Sequence, residues 1–332
     1  MRVVVVGAGA MGGSYGGLLA KSGVDVALID SWPEHVAAIQ RDGLKVEGAL
    51  GEFLIRLPAS TSAEGVAPAD VVICFVPSYA TADAASTVAE VLKPDGFAIT
   101  CQNGIGNVET LQSVVGHERV LGGSSMASAA VLGAGHVALT HHQPTTIGEI
   151  DGQITARAEG FANALRGAGF EIKLVANVTD VIWTKFALNC GINAICATTG
   201  LRLGEVARLP ELDAFQDRVL DEVLAVAAKR QVRLTDPDLR RTVKEHGFRK
   251  FSRPSMLQHV DAGRRTEIDA INGALIREAK RQRLPVPYNE ALVALLKGRE
   301  LREIRRHGRP EVDYAAWEAR VVAGDPAPEP PA

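Results

Sequence analysis

Cysteine is scarce. The chain has four in 332 residues, Cys74, Cys101, Cys190 and Cys196, with no C-x-x-C pair and no ligand cluster. Two fall in predicted core strands and two on a predicted helix, so they read as buried free thiols of a reducing cytoplasm, neither a disulfide framework nor a thiolate metal site. Charge of one sign is lacking too: the net charge is −3 with 23% charged residues, and no long basic stripe marks a nucleic-acid binder. The Arg-rich stretch 297–309 has Glu300 and Glu303 interleaved, which makes it a solvated helix face, with phosphate binding as the alternative. No apolar run is long enough to span a membrane and no signal peptide precedes the first strand, so a cytoplasmic location is expected. Without a secretory signal, the sequon Asn177-Val178-Thr179 is read as chance. Internal repeats are absent. The apolar fraction of 46% is ordinary for a globular enzyme, and the length allows two domains with real cores.

The informative content begins at the N-terminus. Arg2–Val6 reads as a short buried strand, Gly7-Ala8-Gly9-Ala10-Met11-Gly12 follows at once, Gly13–Ala20 reads as a helix, and a second strand, Val24–Ile29, ends at Asp30. This is the G-x-G-x-x-G dinucleotide fingerprint in its strand–turn–helix context, with an acidic residue where an adenosine ribose should lie. Gly7 permits the tight turn, Gly9 lets the backbone approach a pyrophosphate, and Gly12 allows close packing of helix on strand. The helix N-terminus presents unpaired N–H groups to the phosphates. Asp30 accepts hydrogen bonds from ribose hydroxyls and repels a 2′-phosphate, which favours NAD(H). NADP(H) stays open if an arginine accommodates the phosphate, and Arg41 is the nearest candidate. The alternative is a Gly-rich turn in a fold that has lost its cofactor.

Strands and helices alternate through the first half. Phe53–Leu57, Val71–Val76, Phe97–Cys101 and 120–124 read as strands, Ala82–Leu92 and Ile154–Gly167 as helices, and Glu171–Leu174 as a final strand. Between Ala130 and Ile147 short runs around Gly133, Gly135 and Pro144 predict antiparallel strands that close the domain. Past Val178 helical periodicity dominates. The fold class is therefore α/β, a Rossmann-type dinucleotide-binding domain (1–177) followed by an all-helical substrate and catalytic domain (178–324), with a Pro-rich tail (325–332) expected to be disordered.

Three polar segments interrupt this pattern. Lys185, Asn189 and Asn193 recur every four residues within an otherwise apolar run, which places them within about 80° of one another on a helix. A cation and two amides on a packing helix call for a polar partner, the alternative being a solvated face. In the stretch from Pro254 to Leu275, Ile268, Ile271 and Leu275 form an apolar stripe at helical spacing, bordered by Glu267. A carboxylate there is either partly buried against a substrate hydroxyl or a lysine, or a surface residue near a helix start. The loop Gln102-Asn103-Gly104-Ile105-Gly106-Asn107 follows a central strand and can reach the nicotinamide end of a cofactor; otherwise it is an Asn-Gly turn.

Taken together, these segments resemble the ketopantoate reductases (2-dehydropantoate 2-reductases) over nearly the whole chain. The marks are Gly7-x-Gly9-x-x-Gly12, Asn103-Gly104-x-Gly106, Trp183-x-Lys185 with Asn189 and Asn193, Ser255-Met256-Leu257-Gln258, and Arg265-Thr266-Glu267-Ile268-Asp269 with Asn272-Gly273. The resemblance implies reduction of a 2-oxo acid by NAD(P)H, ketopantoate to pantoate first among the candidates. It implies Lys185 as the catalytic lysine that hydrogen-bonds and protonates the ketone oxygen, Glu267 as the residue that binds the substrate hydroxyl, and Ser255 as a carboxylate contact. Asn189 and Asn193 would position the substrate, and Asn103 would lie between cofactor and substrate. No metal is implied, since a lysine and hydrogen bonds polarise the carbonyl. Relatives commonly use NADPH with a basic residue after the second strand, where this chain has Asp30, and carry a lysine after the fourth strand, where it reads Phe75-Val76-Pro77-Ser78-Tyr79. Two other readings stand beside this one: a family member acting on a different 2-oxo or 2-hydroxy acid, and a non-catalytic NAD(H)-binding sensor. Retention of both Lys185 and Glu267 argues against the sensor. A homodimer is the expected assembly of such relatives.

Overall fold

The computed structural model describes residues 1–307 and 313–324. The tail for which disorder is expected, 325–332, lies outside the described residues. In chain order the elements are β1 (Arg2–Val6), α1 (Ala10–Lys21), β2 (Asp25–Ile29), α2 (Pro33–Asp42), β3 (Leu44–Gly48), β4 (Phe53–Ile55), β5 (Ala59–Ser60) and β6 (Ala69–Cys74). Then come α3 (Thr81–Val91), β7 (Leu92–Thr100), α4 (Asn107–Val115), β8 (Val120–Ser125), β9 (Ser128–Gly133), β10 (His136–His141), β11 (Thr145–Glu149), α5 (Ala156–Gly167) and β12 (Ile172–Leu174). The rest is helical: α6 (Val178–Thr199), α7 (Leu203–Val206), α8 (Pro210–Lys229), α9 (Leu239–Arg249), α10 (Ser255–Asp261), α11 (Asn272–Gln282), α12 (Pro287–Arg306) and α13 (Tyr314–Val322).

Two compact units result. The first comprises Met1–Phe186 with Val232–Thr235, the second Ala187–Gln231 with the chain from Asp236 onward, so the division falls inside α6. The change of periodicity in the sequence falls nine residues earlier, at the start of that helix.

In the first unit an eight-stranded sheet runs β12-β11-β8-β7-β6-β1-β2-β5. From β5 to β8 all neighbours are parallel, and the order is the 3-2-1-4-5-6 arrangement of a doubly wound dinucleotide fold. β11 then runs antiparallel to β8. The valine run of β1 explains its central place. Val3 and Val5 enter one apolar layer with Leu19, Leu28, Ile99 and Phe161, while Val4 and Val6 enter the other with Val72, Val88 and Leu111. A strand buried on both faces needs no alternation.

The expectation of antiparallel strands between 130 and 147 is met by β9 and β10, but they belong to a separate four-stranded sheet, β4-β3-β10-β9. Phe53–Leu57 shortens to β4 and joins that same sheet. A Cβ on Gly17 of α1 would stand 2.6 Å from Val46, and one on Gly13 would stand 3.1 Å from Val137, so the two glycines let this second sheet lie directly against α1.

The second unit is built on α6 and α8. Leu220 of α8 fills the space that a Cβ on Gly191 would take, and Val219, Val223 and Val226 are fully buried beside it. Ile268, Ile271 and Leu275 are all buried as the stripe predicts, yet not on one α-helix. Ile268 opens a single 3-10 turn, and Ile271, at φ −105° and ψ −104°, breaks the chain before α11 begins.

All four cysteines are free and buried. Burial pushes the Cys74 thiol up to about 11 and those of Cys101 and Cys196 up to about 12, and it holds Cys190 well above its ordinary value. A thiol so held is not a nucleophile at neutral pH. Titration of the native protein with a thiol-specific disulfide reagent at pH 7.5 should therefore show no fast phase, with four equivalents reacting after denaturation; one fast equivalent in the native protein contradicts the burial described.

Candidate active site

The glycine loop follows β1 at the carboxyl edge of the sheet. Gly7 has φ +92°, and a Cβ there would stand 2.6 Å from Val76 N, so the loop after β6 comes up against it. A Cβ on Gly12 would overlap the carbonyl oxygen of Gly7. These two glycines are required by the fold itself. Gly9 is different: its φ is −61°, and nothing of the protein lies within 4 Å of where its Cβ would be. Neither backbone nor packing demands a glycine at 9, which leaves approach of a ligand as the reason for it. The first turn of α1 carries no acidic residue and no side chain caps it, so no capping side chain takes up its N–H groups. Ala8, Ala10 and Met11 complete this loop. The cradle fits a dinucleotide pyrophosphate.

Asp30 directly follows β2, with its Oδ1 accepting the Trp32 N–H at 2.9 Å. Arg41 sits in the last turn of α2, exposed and bonded to Asp42 at 2.6 Å. Eight residues of helix put it about 12 Å from the start of α2.

The loops after β6 and β7 are tied to one another. Gln102 Nε2 donates to Val76 O at 2.5 Å and to Thr81 Oγ1 at 2.9 Å, and its Oε1 accepts from Thr100 Oγ1 at 2.7 Å. The Asn103 carbonyl accepts from Ser78 Oγ at 2.7 Å and from Asn107 Nδ2 at 3.0 Å. Asn103 is thus held by its backbone at the end of a central strand. The sequence reading names Asn103 but not Gln102, Thr81 or Asn107 as its support. These ties join residues 21 to 26 positions apart, and no local sequence signal marks them.

Lys185 lies on the part of α6 within the first unit. Its Nζ donates to Ser125 O, the last residue of β8, at 2.6 Å. Its positive charge also acts on Cys101, just past β7, against the much larger effect of burial on that thiol. The ammonium therefore stands at the same carboxyl edge that carries Asn103 and the glycine loop. Ser125 is fixed in turn by a triangle of hydroxyls with Tyr15 and Thr145, separated by 3.1, 2.5 and 2.8 Å. Burial raises the Tyr15 phenol well above its usual range, so the triangle stays neutral.

In the second unit, Asn189 and Asn193 follow Lys185 at successive turns of α6 and are only 8% and 6% exposed. Neither side chain hydrogen-bonds to another described residue. Their amide atoms are not among the fully buried unpaired polar atoms, so water or a ligand can reach them. Ser255 is the exposed first residue of α10, and Gln258 Nε2 ties the preceding Arg253 O at 2.8 Å. Glu267 precedes the 3-10 turn, and the neighbouring Thr266 N–H donates to Glu300 Oε2 at 2.7 Å. Burial, then Arg264, lowers the His259 imidazole while the Glu267 carboxylate opposes them, so His259 is a neighbour of Glu267 that the sequence reading did not single out. Asn272 is structural: it donates to Cys190 O and Asn289 Oδ1 and fastens α11 to α6.

Gly9→Ala and Gly12→Ala should separate two roles. The first should leave thermal unfolding unchanged within a degree or two yet weaken dinucleotide binding at least tenfold. The second should lower stability by about 1–3 kcal/mol through overpacking. Calorimetry with a cofactor titration checks both, and equal behaviour of the two variants is the contrary result.

Comparison with known proteins agrees with this construction. The family model "Ketopantoate reductase PanE/ApbA" matches residues 3–152, and its C-terminal counterpart matches residues 177–300. A 2-dehydropantoate 2-reductase of Archaeoglobus fulgidus is 32% identical over 90% of this chain and 98% of its own length. One from Pyrococcus horikoshii is 32% identical with the same coverage. Among solved structures, a PanE/ApbA family ketopantoate reductase from Ralstonia eutropha JMP134 is similar at TM-score 0.85 and 31% identity, covering 91% of this chain and 99% of that one. A ternary structure of D-mandelate dehydrogenase with NADH and anilino(oxo)acetate is similar at TM-score 0.85 and 27% identity, over the same shares. Two family models that together span most of the chain, and relatives above 30% identity at nearly full length, place it plainly: the chain belongs to the ketopantoate reductase PanE/ApbA family of oxidoreductases.

Proposed function

We propose that this protein reduces a 2-oxo acid to the 2-hydroxy acid with NADH, and that 2-dehydropantoate, giving pantoate, is the first substrate to test. The observation that carries the reading is the Lys185 ammonium at the carboxyl edge of the sheet, bonded to Ser125 O, on the edge that also carries Asn103 and the glycine loop. Reduced nicotinamide, when bound, supplies the hydride. As hydride reaches the carbonyl carbon, negative charge builds on the oxygen, and Lys185 meets it with a hydrogen bond and then a proton. Solvent returns the proton to the lysine. Ser255 contacts the substrate carboxylate, Glu267 holds the distal hydroxyl, and Asn103, Asn189 and Asn193 fix the orientation of the acid.

Asp30 and the tethering of Arg41 to Asp42 support NADH over NADPH, because a 2′-phosphate would meet a carboxylate and no free guanidinium from Arg41. One observation favours a second substrate reading. The similar D-mandelate dehydrogenase structure holds NADH and anilino(oxo)acetate, and this chain has Asp30 after β2, which suits NADH, and no lysine at 75–79. A bulkier 2-oxo acid, or the matching 2-hydroxy acid oxidised by NAD, belongs to the same chemistry.

Following reduced-cofactor absorbance with ketopantoate, phenylglyoxylate and branched 2-oxo acids decides the substrate, with NADH and NADPH run in parallel. NADH should give the higher kcat/KM; preference for NADPH overturns the role given to Asp30. Lys185→Ala should lower kcat by about 10²–10⁴-fold with NADH affinity unchanged. Full turnover in that variant overturns the proton donor, and no turnover by the parent with any 2-oxo acid favours the sensor.

A further inference from the structure

Just past Asp30 the chain does something a ribose acceptor alone does not need. Trp32 has an indole 39% exposed; its backbone N–H donates to Asp30 Oδ1, and Pro33 after it keeps its backbone extended. Its ring lies parallel to the imidazole of His35, with centroids 5.1 Å apart and planes 7° from coincidence. His35 is fully buried, and both of its nitrogens are used. Gly135 N–H donates to Nδ1 at 2.9 Å, so Nδ1 is an acceptor and the ring proton sits on Nε2, which donates to Ala8 O at 3.0 Å. The imidazole is thereby bolted to the glycine loop on one side and to the turn between β9 and β10 on the other.

We propose that Trp32 is the surface on which the adenine of the dinucleotide stacks, and that His35 is a positioning residue that sets the plane of the indole and joins it to the phosphate loop. This rests on the reading that the chain binds NAD(H). Asp30 takes the adenosine ribose and Ala8 belongs to the loop that takes the pyrophosphate. Trp32 is connected to both: its backbone to Asp30 through the N–H, and its ring to the loop through the stacked His35. An adenine attached to that ribose lies close to Asp30, and Trp32, two residues on, carries a large, partly exposed flat apolar group. One face of the indole is covered by His35. Stacking on the other would restrict the base without reading its edges, as base–aromatic contacts do.

The test is binding and turnover with Trp32→Ala, Trp32→Phe and His35→Phe, each first checked for thermal unfolding. Trp32→Ala should weaken NADH and ADP-ribose about tenfold or more, while kcat at saturating NADH stays within twofold of the parent. With reduced nicotinamide mononucleotide, which lacks the adenosine, kcat/KM should be the same in parent and variant. Trp32→Phe should keep most of the affinity. His35→Phe, which leaves an aromatic plane but removes both hydrogen bonds, should raise KM for NADH and spare kcat. Equal NADH affinity in Trp32→Ala and the parent overturns the proposal. So does a fall with reduced nicotinamide mononucleotide as large as that with NADH, because the indole would then serve the loop and not the base. A parent that binds no NADH overturns the functional reading itself.

Discussion

At the carboxyl end of β1 three backbone segments meet more closely than side chains permit. The turn at Gly7 touches the chain after β6, and Gly12 brings α1 down onto the Gly7 carbonyl. The rest of the first unit is arranged around that junction. It sets the start of α1, and so the direction of its unpaired N–H groups. It also brings the loop after β6 alongside, where Gln102 and Thr81 stitch it to the loop after β7. Because Gly9 is free of this crowding, the loop can be packed tightly and still leave an open concave face.

The polar groups around the site fall into two kinds. Some are matched within the protein: the Tyr15, Ser125 and Thr145 hydroxyls, the Gln102 and Asn107 amides, and both nitrogens of His35. These hold backbone in place, and the lysine bond to Ser125 O depends on one such cluster. Others, Asn189 and Asn193, lie on largely buried residues and make no hydrogen bond to another described residue. The first kind makes a shape, and the second keeps its polar atoms open to water or a ligand.

Much of this was legible in the sequence. The valine run, the glycine spacing and Asp30 are local signals, each tied to a short piece of chain, and they specify the first βαβ unit. The four-residue recurrence of Lys185, Asn189 and Asn193 places all three on α6 because helix geometry is itself local. What escaped were pairings across long separations. That β3 and β4 join β9 and β10 in a second sheet depends on contacts some ninety residues apart, as does the bond from His35 to Gly135. The helix expected around Glu267 breaks because Ile271 turns away to bury its side chain, a tertiary preference that periodicity does not register. α2 was legible in principle: Pro33 opens it, and His35, Val36 and Ile39 mark its buried face.

The amides of Asn189 and Asn193 have a consequence beyond recognition. The residues are mostly buried and make no hydrogen bond to another described residue, so in the empty protein only water that reaches them can serve them. A compound that took the place of that water and matched both amides would bind the folded chain alone, and at a hundred times its dissociation constant it would add about 2.7 kcal/mol to stability. Occupancy and resistance to unfolding would then rise together.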